Sequence, residues 1–328
     1  MNMRKKSVFA LTSIVLASLS LVSPAWAKSM TGHSQTANVA YAGSLQLVMD
    51  QQVGPSFAKK TGDTYQGRGG GSFGVAHLIA SKEITPNVMI SMGYAPIQSL
   101  EPKFTSYGIG FASSPLVIAY SASSPFAKSL NLIKEHKKPL SALFTLMEKT
   151  NFHLGRTNPV TDPQGQAFLW MVQLATKVWH LPANTVTKIT GSVENPKQIF
   201  SEESILSLLQ AGQLDASSAF LSEAIARHFN YIALPGSINM GDPTFQKQYE
   251  TATVKLPSGK VVHGTSLNLV ITALHGEPDP SAGVAFMNDV LSPLGKAAFA
   301  KEGFRLIKPI IYGNRTAIPT STRSLLAR

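Results

Sequence analysis

The sequence predicts an α/β protein on mixed, largely parallel sheets flanked by helices, and three observations carry that expectation. Short apolar stretches of strand character alternate with longer stretches whose apolar residues recur at helical spacing. Several strand-to-helix junctions carry glycine followed by serine, the composition of a tight turn that opens a helix. The chain of 328 residues can bury a sizeable core, and roughly 100 to 200 residues per domain suggests two domains.

The first segment is expected to be a secretory signal peptide, residues 1–27. A basic MNMRKK leads into an apolar run from Ser7 to Val22 and a small-x-small pattern at Ala25-Trp26-Ala27. The run is too short for a membrane span, which needs roughly 20 residues. A periplasmic mature chain beginning near Lys28 follows from this reading. Loss of Arg4, Lys5 and Lys6 takes the formal charge from +11 to +8, a basic balance that weakly favours anionic partners. The chain has no cysteine, which excludes disulfides, thiolate metal sites, a cysteine nucleophile and a lipid-anchoring cysteine. Lys59-Lys60 and Lys137-Lys138 are isolated pairs without interleaved aromatics, so nucleic acid is not an expected partner.

The elements follow in order. "ANVAYAGSL" reads as a short buried strand ending at Gly43-Ser44, and "LQLVMDQQVGPSFAKKTG" as a helix ending near Gly62. "GGGSFGVAHLIASKEI" repeats the theme, with Val75, Ala76, Leu78 and Ile79 on a helical face, before the strand "NVMISM". Then come "PLVIAYS" as strand, "PLSALFTLMEK" as helix, "HLGRT" as strand, and "GQAFLWMVQLATKVW" and "EESILSLLQAGQLDA" as helices. "GTSLNLVITAL" is a late strand, and "PSAGVAFMNDVLSPLGKAAFAKEG" a pair of short helices that return to the first domain. The arrangement is discontinuous: 28–118 with 268–328 in one domain, 119–267 in the other.

Candidate sites lie where strands give way to helices, because helix N-termini present free N–H groups and a partial positive charge. Gly43-Ser44 and Gly71-Ser72 both fit an anion seat, glycine allowing close approach and serine adding a hydroxyl. Each serine is equally readable as an ordinary N-cap. Gly69 to Gly74 also matches G-x-G-x-x-G, but "TYQGR" before it is a poor buried strand and no acidic residue follows at the required distance. The eight histidines show no metal-ligand spacing and are expected at surfaces or caps, and Trp170 and Trp179 fit a helical core pattern. No G-x-S-x-G elbow is present, and an exported enzyme using Asp162 or Glu223 as a base lacks a visible nucleophile. Asp162-Pro163 is a favoured helix start, aspartate at N-cap and proline at N1.

The series "YAGSL", "GGGS", "FASSPLVIAYS" and "GRTNPVTDPQGQAFLWMVQLA" resembles the periplasmic tungstate- and molybdate-binding proteins of ABC importers, over roughly residues 37 to 235. The resemblance implies a type II periplasmic binding fold in which two α/β domains close on an oxyanion. It also implies an inner-membrane permease as partner, a monomer, no cofactor and no enzymatic activity. It places Gly43, Ser44, Gly71 and Ser72 as donors to oxyanion oxygens, and Asp162 and Gly165 in the family's DPCG motif, Asp162 reaching the Mo or W centre. The glutamate that joins that aspartate in close relatives falls at Ala219, the nearest carboxylate being Glu223 in "GQLDASSAFLSEAI". If that segment is helical, Glu223 lies one turn along the same face; it is equally an acid favoured by a helix dipole. Gln164 stands where the family has cysteine. Sulfate, thiosulfate, another small anion or an organic acid are the alternative ligands.

Overall fold

The computed structural model describes residues 34–276 and 278–326; the expected signal segment and most of the polar leader after it lie outside them. Twelve strands follow in chain order: β1 Thr36–Ala42, β2 Thr64–Gly70, β3 Val88–Met92, β4 Tyr107–Ser113, β5 Leu116–Tyr120, β6 Leu154–Gly155, β7 Ala216–Phe220, β8 Asn230–Ala233, β9 Thr253–Lys255, β10 Val261–His263, β11 Asn268–Ala273 and β12 Arg305–Gly313. Six build one sheet in the order β12-β4-β11-β3-β1-β2, four build a second in the order β6-β7-β5-β8, and β9-β10 is a small hairpin.

Strand and helix alternation holds, but the expectation of largely parallel sheets is corrected. Among the named strands of the described residues, only β1-β2, β1-β3 and β6-β7 pair in parallel. The pairs β11-β3, β11-β4, β12-β4, β5-β7 and β5-β8 are antiparallel. The reason is the route of the chain. A single crossover helix returns a strand in the same direction, whereas β11 comes back from the second sheet and inserts the opposite way between β3 and β4. "TYQGR" is likewise a strand, β2. It pairs with β1 from Thr36↔Thr64 to Ala42↔Gly70 and is mostly exposed at the sheet edge, which accounts for its weak apolar signal.

From Gly43 to Thr61 the backbone is helical throughout but changes pitch, from a 3-10 turn (Gly43–Leu45) to α (Gln46–Val48), π (Met49–Val53) and α again (Gly54–Thr61). Pro55 lies in this run and has no N–H to offer the previous turn, and the wider π turn immediately before it absorbs the mismatch. Gly62 closes the run in a left-handed conformation, φ +80°, where a side chain would be strained. His136, His180 and His228 occupy the same left-handed position just past other helices, in keeping with an expected capping place for histidines.

The chain passes from the six-stranded to the four-stranded sheet through Ser114-Pro115 and returns through residues 264–267. One segment braces both passages. The Leu116 N–H donates to Asn239 O (2.9 Å), and the Leu267 N–H to Met240 O (2.8 Å). The core lies between sheets and helices. Trp170 is 2 % exposed within the Pro163–Val178 helix, and the central strand β11 is wholly buried. Ile271, 0 % exposed and paired to both β3 and β4, is where truncation should be felt. Ile271→Ala is expected to cost about 2–5 kcal/mol, read as a lower urea midpoint at unchanged slope; a shift under about 0.5 kcal/mol would contradict this placement.

Candidate functional site

Two of the expected turns stand at the carboxyl ends of strands. β1 ends at Ala42 and turns directly through Gly43 and Ser44; β2 ends at Gly70, and Gly71 is the N-cap of the Ser72–Ala80 helix. Ser72 is 1 % exposed, and its hydroxyl oxygen accepts from the Met92 N–H at the end of β3 (3.1 Å). The hydroxyl proton therefore remains available for donation. The next two amides of that helix, Phe73 and Gly74, donate to the Thr161 carbonyl oxygen (3.0 and 3.1 Å). A Cβ on Gly71 would lie 2.7 Å from that oxygen and 3.2 Å from Asp162 Cβ, so only glycine permits this approach. The second turn and the Thr161-Asp162 turn are thus packed face to face.

Asp162 is the N-cap of the Pro163–Val178 helix. Its Oδ1 accepts from the Gln164 N–H (2.8 Å), while Oδ2 is buried with no hydrogen-bond partner. One oxygen caps; the other makes no hydrogen bond, although the Thr157 hydroxyl is near enough to favour the ionised form. Glu223 repeats the pattern. Its Oε2 accepts from the Phe220 N–H (2.7 Å) and from Gln164 Nε2 (3.0 Å), and Oε1 is buried without a partner. Gln164, in the place of the family cysteine, therefore ties both acids into one unit, with its own Oε1 accepting from the Ser218 hydroxyl (3.0 Å). Gly165 packs its Cα against the 157–159 backbone, where a Cβ would sit 2.7 Å from Pro159 N.

Ala219 and Glu223 do not share a helix face, which corrects the relation drawn from sequence. Ala219 belongs to β7 and is wholly buried, and Glu223 lies in the first turn of the Leu221–Ala226 helix. The alternative reading, an acid placed by a helix N-terminus, describes its position.

Sequence reasoning did not single out Glu202, Glu203 or Thr157. Glu202 is 6 % exposed and opens the Glu202–Gln210 helix; its carboxylate lies directly over Gly43, with Glu203 Oε1 beside it. Ser201-Glu202-Glu203 reads in sequence as a normal helix start, since acids are favoured in a first turn. No local signal carries them to a distant glycine. A cavity of about 20 Å³, room for about one water, is lined by Gly43, Ser44, Ser222, Glu223 and Arg227 among others. A hollow of about 270 Å³ is lined by Gly71, Thr157, Thr161, Asp162, Glu202 and Glu203 among others. Glu202 lines the hollow while resting on Gly43 of the small cavity. Ser44 Oγ and Thr157 Oγ1 are also buried without partners.

The electrostatics follow from this crowding. Burial pushes the Asp162 carboxyl up to about 6 against the Gln164 N–H, and Glu223 up to about 7 against the Phe220 N–H. Burial, then the charges of Asp162, Glu223 and Glu203, raise Glu202 as well. Among the described residues no salt bridge ties any of these three acids, and no three His, Cys, Asp or Glu side chains are disposed to hold a metal ion.

The family model for bacterial extracellular solute-binding proteins matches residues 37–305. The molybdate/tungstate-binding protein WtpA of Pyrococcus abyssi is 24% identical over 316 residues, spanning 88% of this chain and 89% of its own. A putative ABC transporter molybdenum-binding protein of Haloferax volcanii is 27% identical over 237 residues, 72% of each chain. Among solved structures, the periplasmic molybdate-binding protein of Azotobacter vinelandii matches with TM-score 0.58 at 17% identity, covering 84% of this chain and 100% of that one. That likeness shows the fold, the two-domain type II periplasmic binding arrangement. No described helix is long and apolar enough to cross a membrane.

The raised carboxyls set a pH dependence. An acid with a higher pKa in the folded chain than in the unfolded one stabilises the fold fully below its unfolded value, about 4. That contribution is lost as pH climbs through the folded values, here about 6 and about 7. The melting temperature is therefore expected to be higher at pH 5 than at pH 8, and Glu223→Gln should flatten the difference. Melts at matched ionic strength that show no decline between these pH values would refute the assignment.

Proposed function

Because this chain belongs to the bacterial extracellular solute-binding protein family, we propose that it captures an oxyanion, most simply molybdate or tungstate, and delivers it to an inner-membrane ABC importer. In this reading the protein is exported by cleavage of its leader and acts as a periplasmic monomer without catalysis or cofactor. The ligand seat lies between domain 28–118 plus 268–328 and domain 119–267, which hinge at the paired passages near Pro115 and Leu267.

The observation that carries the reading is the packing of Gly71 against Asp162 and of Gly43 against Glu202. It joins both Gly-Ser turns to the acids Asp162, Glu202 and Glu223, with buried oxygens on Ser44, Asp162 and Glu223 left unpaired. Ser44 and Ser72 would donate hydroxyl protons to ligand oxygens. Asp162 Oδ2 and Glu223 Oε1 would face the hard, highly charged metal centre, where a carboxylate is attracted although the oxyanion as a whole repels it. Gly43, Gly71 and Gly165 would shape the seat by admitting close backbone approach. The relatives named above, a molybdate/tungstate-binding protein, a putative molybdenum-binding protein and a molybdate-binding protein, point to the same ligands. Sulfate or thiosulfate is the second reading, favoured by the alanine at 219 in place of the family glutamate; sulfate is smaller and would form longer bonds with the same donors.

Calorimetric titration with molybdate, tungstate, sulfate, thiosulfate and phosphate tests the proposal, and absence of binding to all five would end it. Asp162→Asn separates cap from contact, because asparagine caps as well as aspartate. The expected result is a tungstate affinity at least about ten-fold weaker, a difference of about 1.4 kcal/mol, with a smaller change for sulfate and little change in melting temperature. Unchanged tungstate affinity would leave Asp162 as a cap alone.

A further inference from the structure

One carboxylate of the chain already sits in the first anion turn. Glu202 is 6 % exposed, and its Oε2 touches the Cα face of Gly43 so closely that a Cβ there would overlap it; its Cδ would lie 2.9 Å from that Cβ. Its burial, then the charges of Asp162, Glu223 and Glu203, work against its ionised form, and the nearby Ser44 amide opposes them only in part. Among the described residues no lysine, arginine or histidine forms an ion pair with it. A carboxylate is costly to bury without a partner, yet here it faces the free amide end of a helical run, the environment that binds anions. A second observation marks the same place as a seat: Glu223 Oε1, on a residue 4 % exposed that lines the small cavity with Gly43 and Ser44, meets no hydrogen-bond donor, and the side chain that reaches Glu223 there is the Glu202 carboxyl itself.

We propose that Glu202 is an internal competitor for the ligand, a tethered carboxylate that occupies the Gly43-Ser44 turn and must rotate away before an anion is bound. The inference rests on the reading of that turn as an anion seat. The segment leading to Glu202 is held in place by Arg156, whose guanidinium donates to Gln198 Oε1 (3.1 Å) and to the Ser192 and Val193 carbonyls (both 2.9 Å). The exchange then needs only the side chain to move. A ligand that binds only when the seat is vacated has its apparent affinity reduced by the vacated fraction. That factor is common to all anions, so it leaves their order unchanged while lifting weak binders out of range.

Full-length mature protein and its Glu202→Ala, Glu202→Gln and Glu203→Gln variants are titrated with tungstate, molybdate and sulfate at one pH and ionic strength, folding being checked by melting. Glu202→Ala is expected to bind about ten-fold more tightly, by a similar factor for each anion, with Glu202→Gln in the same direction. Should Glu202→Ala not fold, the isosteric Glu202→Gln carries the test. Glu203→Gln removes the same charge one residue away and should gain several-fold less; an equal gain would reduce the effect to charge alone and overturn the proposal. Unchanged or weaker binding by the Glu202 variants overturns it while leaving the oxyanion function intact, a selective loss of tungstate meaning that Glu202 contacts the metal centre instead. No binding by any form defeats both this inference and the function it rests on.

Discussion

Several helices begin in one small space, and the acids gathered there depend on that. Asp162 is the N-cap of the Pro163–Val178 helix, Glu202 the first residue of the Glu202–Gln210 helix, and Glu223 a first-turn residue of the Leu221–Ala226 helix. Each helix start contributes free amides and part of a positive charge, worth about 0.3–1 kcal/mol at an exposed end and up to about 2 where partly buried. Among the described residues no salt bridge ties these carboxyls, and beyond these amides Glu223 has the Gln164 side-chain amide and the nearby Arg227 charge. This compensation is partial, and the raised pKa values of Asp162 and Glu223 register the remainder.

Gln164 decides how the acids are arranged. Its backbone N–H fixes one oxygen of Asp162 and its side-chain amide one oxygen of Glu223. Each acid is thereby held in one rotamer with its second oxygen free. A cysteine at 164 has no amide to span that distance, so replacing the family residue by glutamine changes the connectivity of the site and not only its size. The second turn is constrained in a different way. Thr161 O takes the Phe73 and Gly74 amides, so the donors left to that helix start are the Ser72 amide and the Ser72 hydroxyl, the latter oriented by the Met92 N–H it accepts.

What could be read from sequence and what could not divides along a physical line. Asp162-Pro163, the two Gly-Ser turns and the strand-helix alternation are local signals, and local structure follows from them. Strand direction is not local: β11 lies antiparallel between β3 and β4 because of where the chain has travelled, and no periodicity encodes that. The five residues Ala216–Phe220 are all buried and rich in alanine and serine, so they lack both the alternation and the β-branched residues that mark strands. The contact of Glu202 with Gly43 is not legible in sequence for a similar reason. The sequence neighbours of Glu202 explain it fully as a helix start, and only the folded chain brings it onto Gly43.

The same division bears on the alanine at 219. Ala219 is wholly buried and packs in an apolar cluster with Val117, Ile205, Leu206 and Leu209. A glutamate at this place in this fold would drive its charge into aliphatic side chains, at a cost of several kcal/mol unless it stayed protonated. Alanine fits that environment. Glu223, one element later, stands instead at a helix start that can accommodate its charge. A residue-by-residue correspondence with relatives points to Ala219 on a strand, whereas the nearest acid lies in the first turn of the helix that follows.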